Sequence, residues 1–324
     1  MRRVAASLAA AVFALALGAC GDDGAEPGAS REATLVLDFQ PNAVHAGLYA
    51  ALERGYFEDE GVALEIREPS ASTDGPRLLA AGRTELAILD IHDLGIARER
   101  GLDVVGVAAI VRRPLAAVIA GDREAVREPA DLEGGTVGVT GLPSDDAVLD
   151  SVLEAGGVDP ARVDRVTIGF DSVAALSAGR VDAATAFWNA EGVALRRLGV
   201  QTREFRVDDY GAPAYPELVL ATSPDTLGED PGLVEGVVAA LGRGQSAVVD
   251  APDDTLADLV AAVDGLERDE QRAQLDALLD AGAIGPDVSL DRRALERWGR
   301  WDVRHGIVAD PPRIADAFPR LRPG

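Results

Sequence analysis

The chain has 324 residues, 47% hydrophobic and 27% charged, a composition that builds packed cores and excludes a disordered protein. All 31 basic residues are arginine and are opposed by 55 acidic ones; the formal net charge of −24 argues against nucleic acid or an anionic lipid surface as partner. The length exceeds what one hydrophobic core usually serves, so two domains are expected, and the single Cys excludes an internal disulfide or a multi-cysteine metal site.

The first twenty residues, MRRVAASLAAAVFALALGAC, read as an export signal: Arg2 and Arg3 precede an apolar run from Val4 to Leu17 that is too short to span a bilayer. The run ends in Leu17-Gly18-Ala19-Cys20, which resembles the lipobox of bacterial lipoproteins. That resemblance implies lipidation of Cys20 and a membrane anchor, the alternative being a cleaved signal with a free thiol. Residues 21–32 are rich in Gly, Pro and acids and suit a flexible tether.

Short apolar runs then alternate with helical patterns: TLVLDF, VALEI, LAIL, VVGVAAIV and AAVIA, followed by TVGVT, VDRVTI, AATAF and ELVLATS. Strands separated by helices predict parallel sheets covered on both faces, hence an α/β fold. From Pro231 onward the strand signals stop, and four consecutive amphipathic helices are expected. Crossings between lobes are expected in the polar stretch after AAVIA and again after ELVLATS. One lobe is therefore drawn from residues 33–121 and 224–324, the second from 122–223.

In open parallel sheets, ligands bind beyond the carboxyl ends of the strands. Polar clusters fall at such ends here: Asp38 to His45; Asp90, His92 and Asp93; Thr140, Ser144 and Asp145; Trp188, Asn189 and Glu191. A further one, Asp209 to Glu217, contains Tyr210 and Tyr215. Of the fourteen Phe, Tyr and Trp residues, six (Phe39, Tyr49, Phe187, Trp188, Tyr210, Tyr215) lie in or beside three of these clusters, which suits a flat ligand that stacks and hydrogen-bonds. The competing reading is that the rings fill the rim of the core, that Asp38 bonds its own loop, that His45 merely begins a helix, and that Ser144 and Asp145 cap one. Asp90, His92 and Asp93 lack a plausible third histidine, so no metal is expected.

The run Leu37-Asp38-Phe39-Gln40-Pro41-Asn42, followed by His45, Gly47-Leu48-Tyr49 and Gly55-Tyr56-Phe57, is similar to the thiamine-pyrimidine-precursor (hydroxymethylpyrimidine) binding family. That family belongs to the periplasmic solute-binding proteins, which include riboflavin-, sulfonate- and nitrate-binding relatives. Trp188-Asn189 with Glu191, and the Tyr-Gly-x-Pro-x-Tyr-Pro-Glu-Leu run at 210–218, also resemble it, the likeness extending over roughly residues 34–310. The resemblance implies a two-lobed, type II-like periplasmic-binding-protein fold with parallel-rich sheets, flanking helices and a central cleft. It implies that Asp38, Asn42, His45, Tyr49, Trp188 and Glu191 line the pocket. Phe39, Asp90, Thr140, Ser144, Asp145, Asn189, Tyr210, Tyr215 and Glu217 complete the expected ligand set. Phe39 departs from the family, which usually has Trp there; stacking survives but an indole N–H donor is lost.

The eukaryotic branch of this resemblance is a pyrimidine synthase that holds pyridoxal phosphate on a lysine. Schiff-base chemistry needs a lysine amine and the sequence has none. No G-x-S-x-G nucleophile elbow occurs either, so catalysis is not expected, nor any cofactor. The resemblance implies the extracytoplasmic substrate-binding component of an ABC importer, a monomer working with a permease and its ATPase and closing about a hinge over a small molecule. Asp38, Asp90, Asp145, Glu191 and Glu217, with no Arg among them, favour a neutral or weakly basic aromatic ligand. A thiamine pyrimidine precursor is expected first, riboflavin second, and a sulfonate or nitrate as the alternative.

Overall fold

The computed structural model describes residues 30–70, 74–122 and 124–321. The export signal, Cys20 and most of the expected tether lie outside them. Arg31 and Glu32, expected in the tether, already belong to the first strand.

Ten strands form two five-stranded sheets. The first contains β1 (Arg31–Val36), β2 (Val62–Arg67), β3 (Leu86–Asp90) and β4 (Val105–Val111). The second contains β5 (Ala116–Ala120), β6 (Thr136–Val139), β7 (Asp164–Thr167), β8 (Ala183–Phe187) and β9 (Arg203–Arg206); β10 (Leu218–Thr222) returns to the first. The orders are β2-β1-β3-β10-β4 and β7-β6-β8-β5-β9. In each sheet three strands run parallel (β2, β1, β3; β7, β6, β8), while β10 and β5 are antiparallel to both of their neighbours. The chain thus changes sheets twice, through residues 112–115 and 207–217.

Both crossings differ from the sequence expectation. β5, drawn in the first lobe, pairs in the second sheet, and β10, drawn in the second, is inserted between β3 and β4. The reason is local. β4, β5 and β10 are buried along their whole length and carry no alternation to mark a face. The first crossing is only RRPL, where Pro114 cannot donate a ladder hydrogen bond. The polar segment after β5 that suggested a boundary is an excursion within the second unit.

The four C-terminal amphipathic segments form the helices Pro231–Asp250, Pro252–Ala262, Arg268–Asp280 and Arg292–Arg304. The first packs across the helix Ala46–Glu53 with backbone almost touching backbone: a Cβ on Gly244 would overlap the carbonyl oxygen of Gly47. Arg292–Arg304 buries Trp298 and Trp301 against the helix Ile91–Glu99, whose His92 lies 2.9 Å from Asp302 Oδ1 through Nδ1 and 3.1 Å from the Tyr215 hydroxyl through Nε2. Burial pulls the His92 pKa down, but the charge and hydrogen bond of Asp302, with Asp90 and Glu217 nearby, overcome it and push it up to about 10. Trp298 Nε1 also lies 3.2 Å from Nδ1, a contact that is not a hydrogen bond once Nδ1 carries the proton given to Asp302.

Candidate functional site

A cleft of about 390 Å³ lies between the two sheets, a size that suits a small ligand. Its walls come from the ends of β1, β3, β6, β7 and β8, from both crossings, and from the helix Arg268–Asp280. Asp38, Phe39, Asn42, Asp90, Thr140, Ser144, Asp145, Asn189, Glu191 and Glu217, all named from the sequence, line it together.

The turn after β1 explains why so many polar groups crowd there. Asn42 Oδ1 accepts the Val44 N–H at 3.0 Å, and the Asn42 N–H points at His45 Nδ1 at 3.2 Å, a reciprocal cap that opens the 3-10 turn Ala43–His45. Since Nδ1 accepts, Nε2 carries the ring proton and donates it to Asp38 Oδ1 at 2.8 Å. His45 is fully buried and does not line the cleft, so the sequence expectation is corrected: it orients Asp38, which does.

Carboxyl groups dominate the rest. Glu217, at the end of the second crossing, accepts the Leu115 N–H of the first crossing at 2.6 Å and so ties the two together. Burial, then the charge of Asp90, pushes Glu217 up to about 8; the same two causes push Asp93 up to about 7. Asp145 accepts from the Thr140 N–H (3.1 Å) and the Thr185 hydroxyl (3.0 Å), yet burial keeps its pKa raised. Glu191 accepts the Phe187 N–H at 3.0 Å and is also raised by burial. Asp145 is thus not a helix cap: Leu142 holds that position before Pro143, without a side-chain bond. Among the described residues that line the cleft there is no arginine.

Two rings stand at the solvent side. Phe39, from the loop after β1, is 51% exposed, and Phe170, from the loop after β7, is 68% exposed. Their centroids are 6.3 Å apart and their planes tilt by 38°, so one unit's ring meets the other's across the cleft.

The remaining aromatic expectations are corrected. Trp188 is fully buried behind the cleft, donating its indole N–H to the Pro114 carbonyl at 3.0 Å beneath the Arg206 guanidinium. It braces the first crossing. Thr185, Ala186 and Phe187 at the end of β8, with Asn189 in the turn that follows, line the cleft instead. Tyr49 is buried in the first core, where burial and then Glu68 push its pKa up to about 12. Tyr210 packs edge-on against Phe205, and Tyr215 is sealed below the cleft on His92. The sequence reading missed Phe170, whose signal was an apolar ring in a glycine-bearing strand-end loop. It also missed Leu266, Glu270, Gln271 and Gln274, which carry no strand-end signature.

The raised acids set a pH dependence. Each is protonated more tightly in the folded chain than at its ordinary value of 4.5 (Glu217) or 3.8 (Asp93), so its stabilising effect is complete below those values. It is lost as pH rises through about 7 for Asp93 and about 8 for Glu217. The ligand-free melting temperature is therefore expected to fall between pH 5 and about pH 8, and Glu217→Gln to make that fall shallower. Calorimetric scans across the range check this; an unchanged slope in the variant would contradict it.

Residues 42–255 match the family described as NMT1/THI5 like. The formylaminopyrimidine-binding protein of Halalkalibacterium halodurans is 34% identical over 291 residues, 88% of this chain and 88% of its own. The 4-amino-5-hydroxymethyl-2-methylpyrimidine phosphate synthase of Legionella pneumophila is 24% identical over 224 residues, 68% of this chain and 70% of its own. Among solved structures, the periplasmic aliphatic sulphonate binding protein of Escherichia coli matches with a TM-score of 0.74 at 15% identity, covering 91% of this chain and 94% of that one. The fold is therefore that of the periplasmic binding proteins.

Proposed function

The chain belongs to the NMT1/THI5-like family, and we propose that it is the extracytoplasmic substrate-binding component of an ABC importer that captures an amino-bearing pyrimidine. One observation carries this reading: seven carboxyl groups (Asp38, Asp90, Asp93, Asp145, Glu191, Glu217, Glu270) line the cleft with no arginine, and the one basic side chain among the lining residues, His92, is already paired with Asp302 at 2.9 Å. An anion placed there would face like charge in a poorly solvated site, whereas a ring amino group gains charge-assisted hydrogen bonds. The 34% identity to a formylaminopyrimidine-binding protein along most of both chains supports the same ligand class. Phe39 and Phe170 supply flat apolar faces for the ring.

The site works by binding alone. With no lysine in the chain, there is no side-chain amine on which a Schiff base could form. The two units close about the crossings 112–115 and 207–217, and the closed monomer docks on a permease coupled to its ATPase. A thermal-shift panel tests the assignment: a ligand at a hundred times its dissociation constant adds about 2.7 kcal/mol. Stabilisation by 4-amino-5-hydroxymethyl-2-methylpyrimidine or a formylaminopyrimidine, and none by alkanesulfonates or nitrate, is expected; the reverse pattern would replace the pyrimidine with an anion.

Anchoring through Cys20 completes the proposal, motivated by the lipobox-like Leu17-Gly18-Ala19-Cys20. Cys20→Ser is expected to abolish lipidation and move the protein out of the mature membrane-bound fraction. Equal retention of the variant after membrane fractionation would remove the anchor from the account.

A further inference from the structure

We infer that Gln271 and Gln274, on the helix Arg268–Asp280, form a second polar subsite that takes the N–H or O–H donor of a substituent on the captured ring; this rests on the pyrimidine reading above. The helix lies against the turn Ala43–His45 on one side and the helix Glu191–Arg197 on the other, with Arg197 donating to the Asp269 carbonyl at 3.2 Å. It therefore closes the side of the cleft between the two walls already described. Gln271 and Gln274 are three residues apart, which puts them on one helix face, and both line the cleft.

Each is only 5% exposed, yet neither side-chain oxygen has a hydrogen-bond partner among the described residues. The orientation of Gln274 is set by its own neighbour: its Nε2 donates to Glu270 Oε1 at 3.3 Å, which turns Oε1 elsewhere. Asn189 Oδ1, 1% exposed on the opposite wall, is unpartnered too. A buried carbonyl oxygen without a donor is costly to a fold, and three of them around one cleft mark acceptor positions that a ligand fills. Because amides are uncharged, they accept from a hydroxymethyl, aminomethyl or formylamino group without selecting for a cation. The carboxylates read the ring amino group, and the glutamines read the side arm.

The test uses the double variant Gln271→Met/Gln274→Met, close in volume but without acceptors, and two probes that differ only in the side arm. These are 4-amino-5-hydroxymethyl-2-methylpyrimidine and 4-amino-2,5-dimethylpyrimidine, titrated by calorimetry, together with the melting temperature of the ligand-free protein. Lost hydrogen bonds are expected to weaken the hydroxymethyl compound about tenfold and the dimethyl compound less than about twofold. The ligand-free variant is expected to melt at the same temperature or higher, since the unpartnered oxygens are gone. An equal loss for both probes, or a lowered ligand-free melting temperature, would overturn the subsite and leave the glutamines as structural residues. If the unaltered protein binds neither probe nor a formylaminopyrimidine, the pyrimidine reading fails. The melting temperature then judges the acceptor positions by itself, an equal or higher value supporting them and a fall refuting them.

Discussion

Asp38→Asn is expected to weaken capture of an aminopyrimidine by about 1.5–3 kcal/mol, a factor of roughly 10–150, while leaving the fold almost as stable as before. Asp38 lines the cleft at the end of β1, and one of its oxygens is held by the His45 Nε2–H at 2.8 Å. Asparagine keeps an oxygen for that buried imidazole, so no protein donor is stranded. What changes is the other half of the group, which becomes an NH₂ facing the donors of a ring amino group. Donor then meets donor, and a charge-assisted hydrogen bond is lost with nothing to replace it. Asp38→Ala would confuse the comparison, because it leaves the His45 N–H unpaired and costs stability as well. Calorimetric titration with a parallel thermal melt separates the two effects. Unchanged affinity in Asp38→Asn would assign this carboxylate to the loop and not to the ligand.

The second large effect concerns the scaffold. Gly244→Ala brings a methyl group into overlap with the Gly47 carbonyl oxygen and to 3.0 Å from the Ala51 Cβ. Backbone cannot rotate out of the way as a side chain can, so the helices Pro231–Asp250 and Ala46–Glu53 must separate. Overpacking of this kind costs about 1–3 kcal/mol and more when backbone is displaced, against the 0.5–1 kcal/mol or so that alanine gains over glycine in a helix. Gly242, two residues away in the same helix, meets only an ordinary contact with Val288 at 3.8 Å. Gly242→Ala should therefore hold or gain stability by about 0.5–1 kcal/mol. Chemical denaturation of both variants checks the contrast; two similar outcomes would mean that the close approach of the two helices is not what fixes their packing. Because Ala46–Glu53 follows directly from the turn that carries Asp38 and His45, loosening it is expected to weaken ligand capture too.

Strand positions, the alternation of strand and helix, and the helical C-terminal segment were legible in the sequence because they rest on local periodicity. So was the gathering of acids at strand ends, which follows from how parallel strands deliver their carboxyl ends to one crevice. The sheet to which a strand belongs was not legible where it was apolar throughout: β5 and β10 offer no pattern to separate one partner from another. Nor did nearness to a strand end reveal direction. Trp188 and Asn189 are adjacent, yet one backs onto Pro114 and the other lines the cleft. Gln271 and Gln274 sit about fifty residues beyond the last strand, which ends at Thr222. Only packing of their helix across both units brings them to the cleft, and no local pattern encodes that.

The proposed function requires the cleft between the sheets to hold an amino-bearing pyrimidine beneath the Phe39–Phe170 pair, with carboxylates at its amino group. A crystal structure of the protein soaked or grown with a formylaminopyrimidine measures this directly. The expected result is the ring in the cleft in contact with at least one of those two phenylalanines, with the amino group within hydrogen-bond distance of at least one of Asp38, Asp90, Asp145 or Glu191. A ring bound outside the cleft, or seated in it with its amino group turned away from every carboxylate, would contradict it.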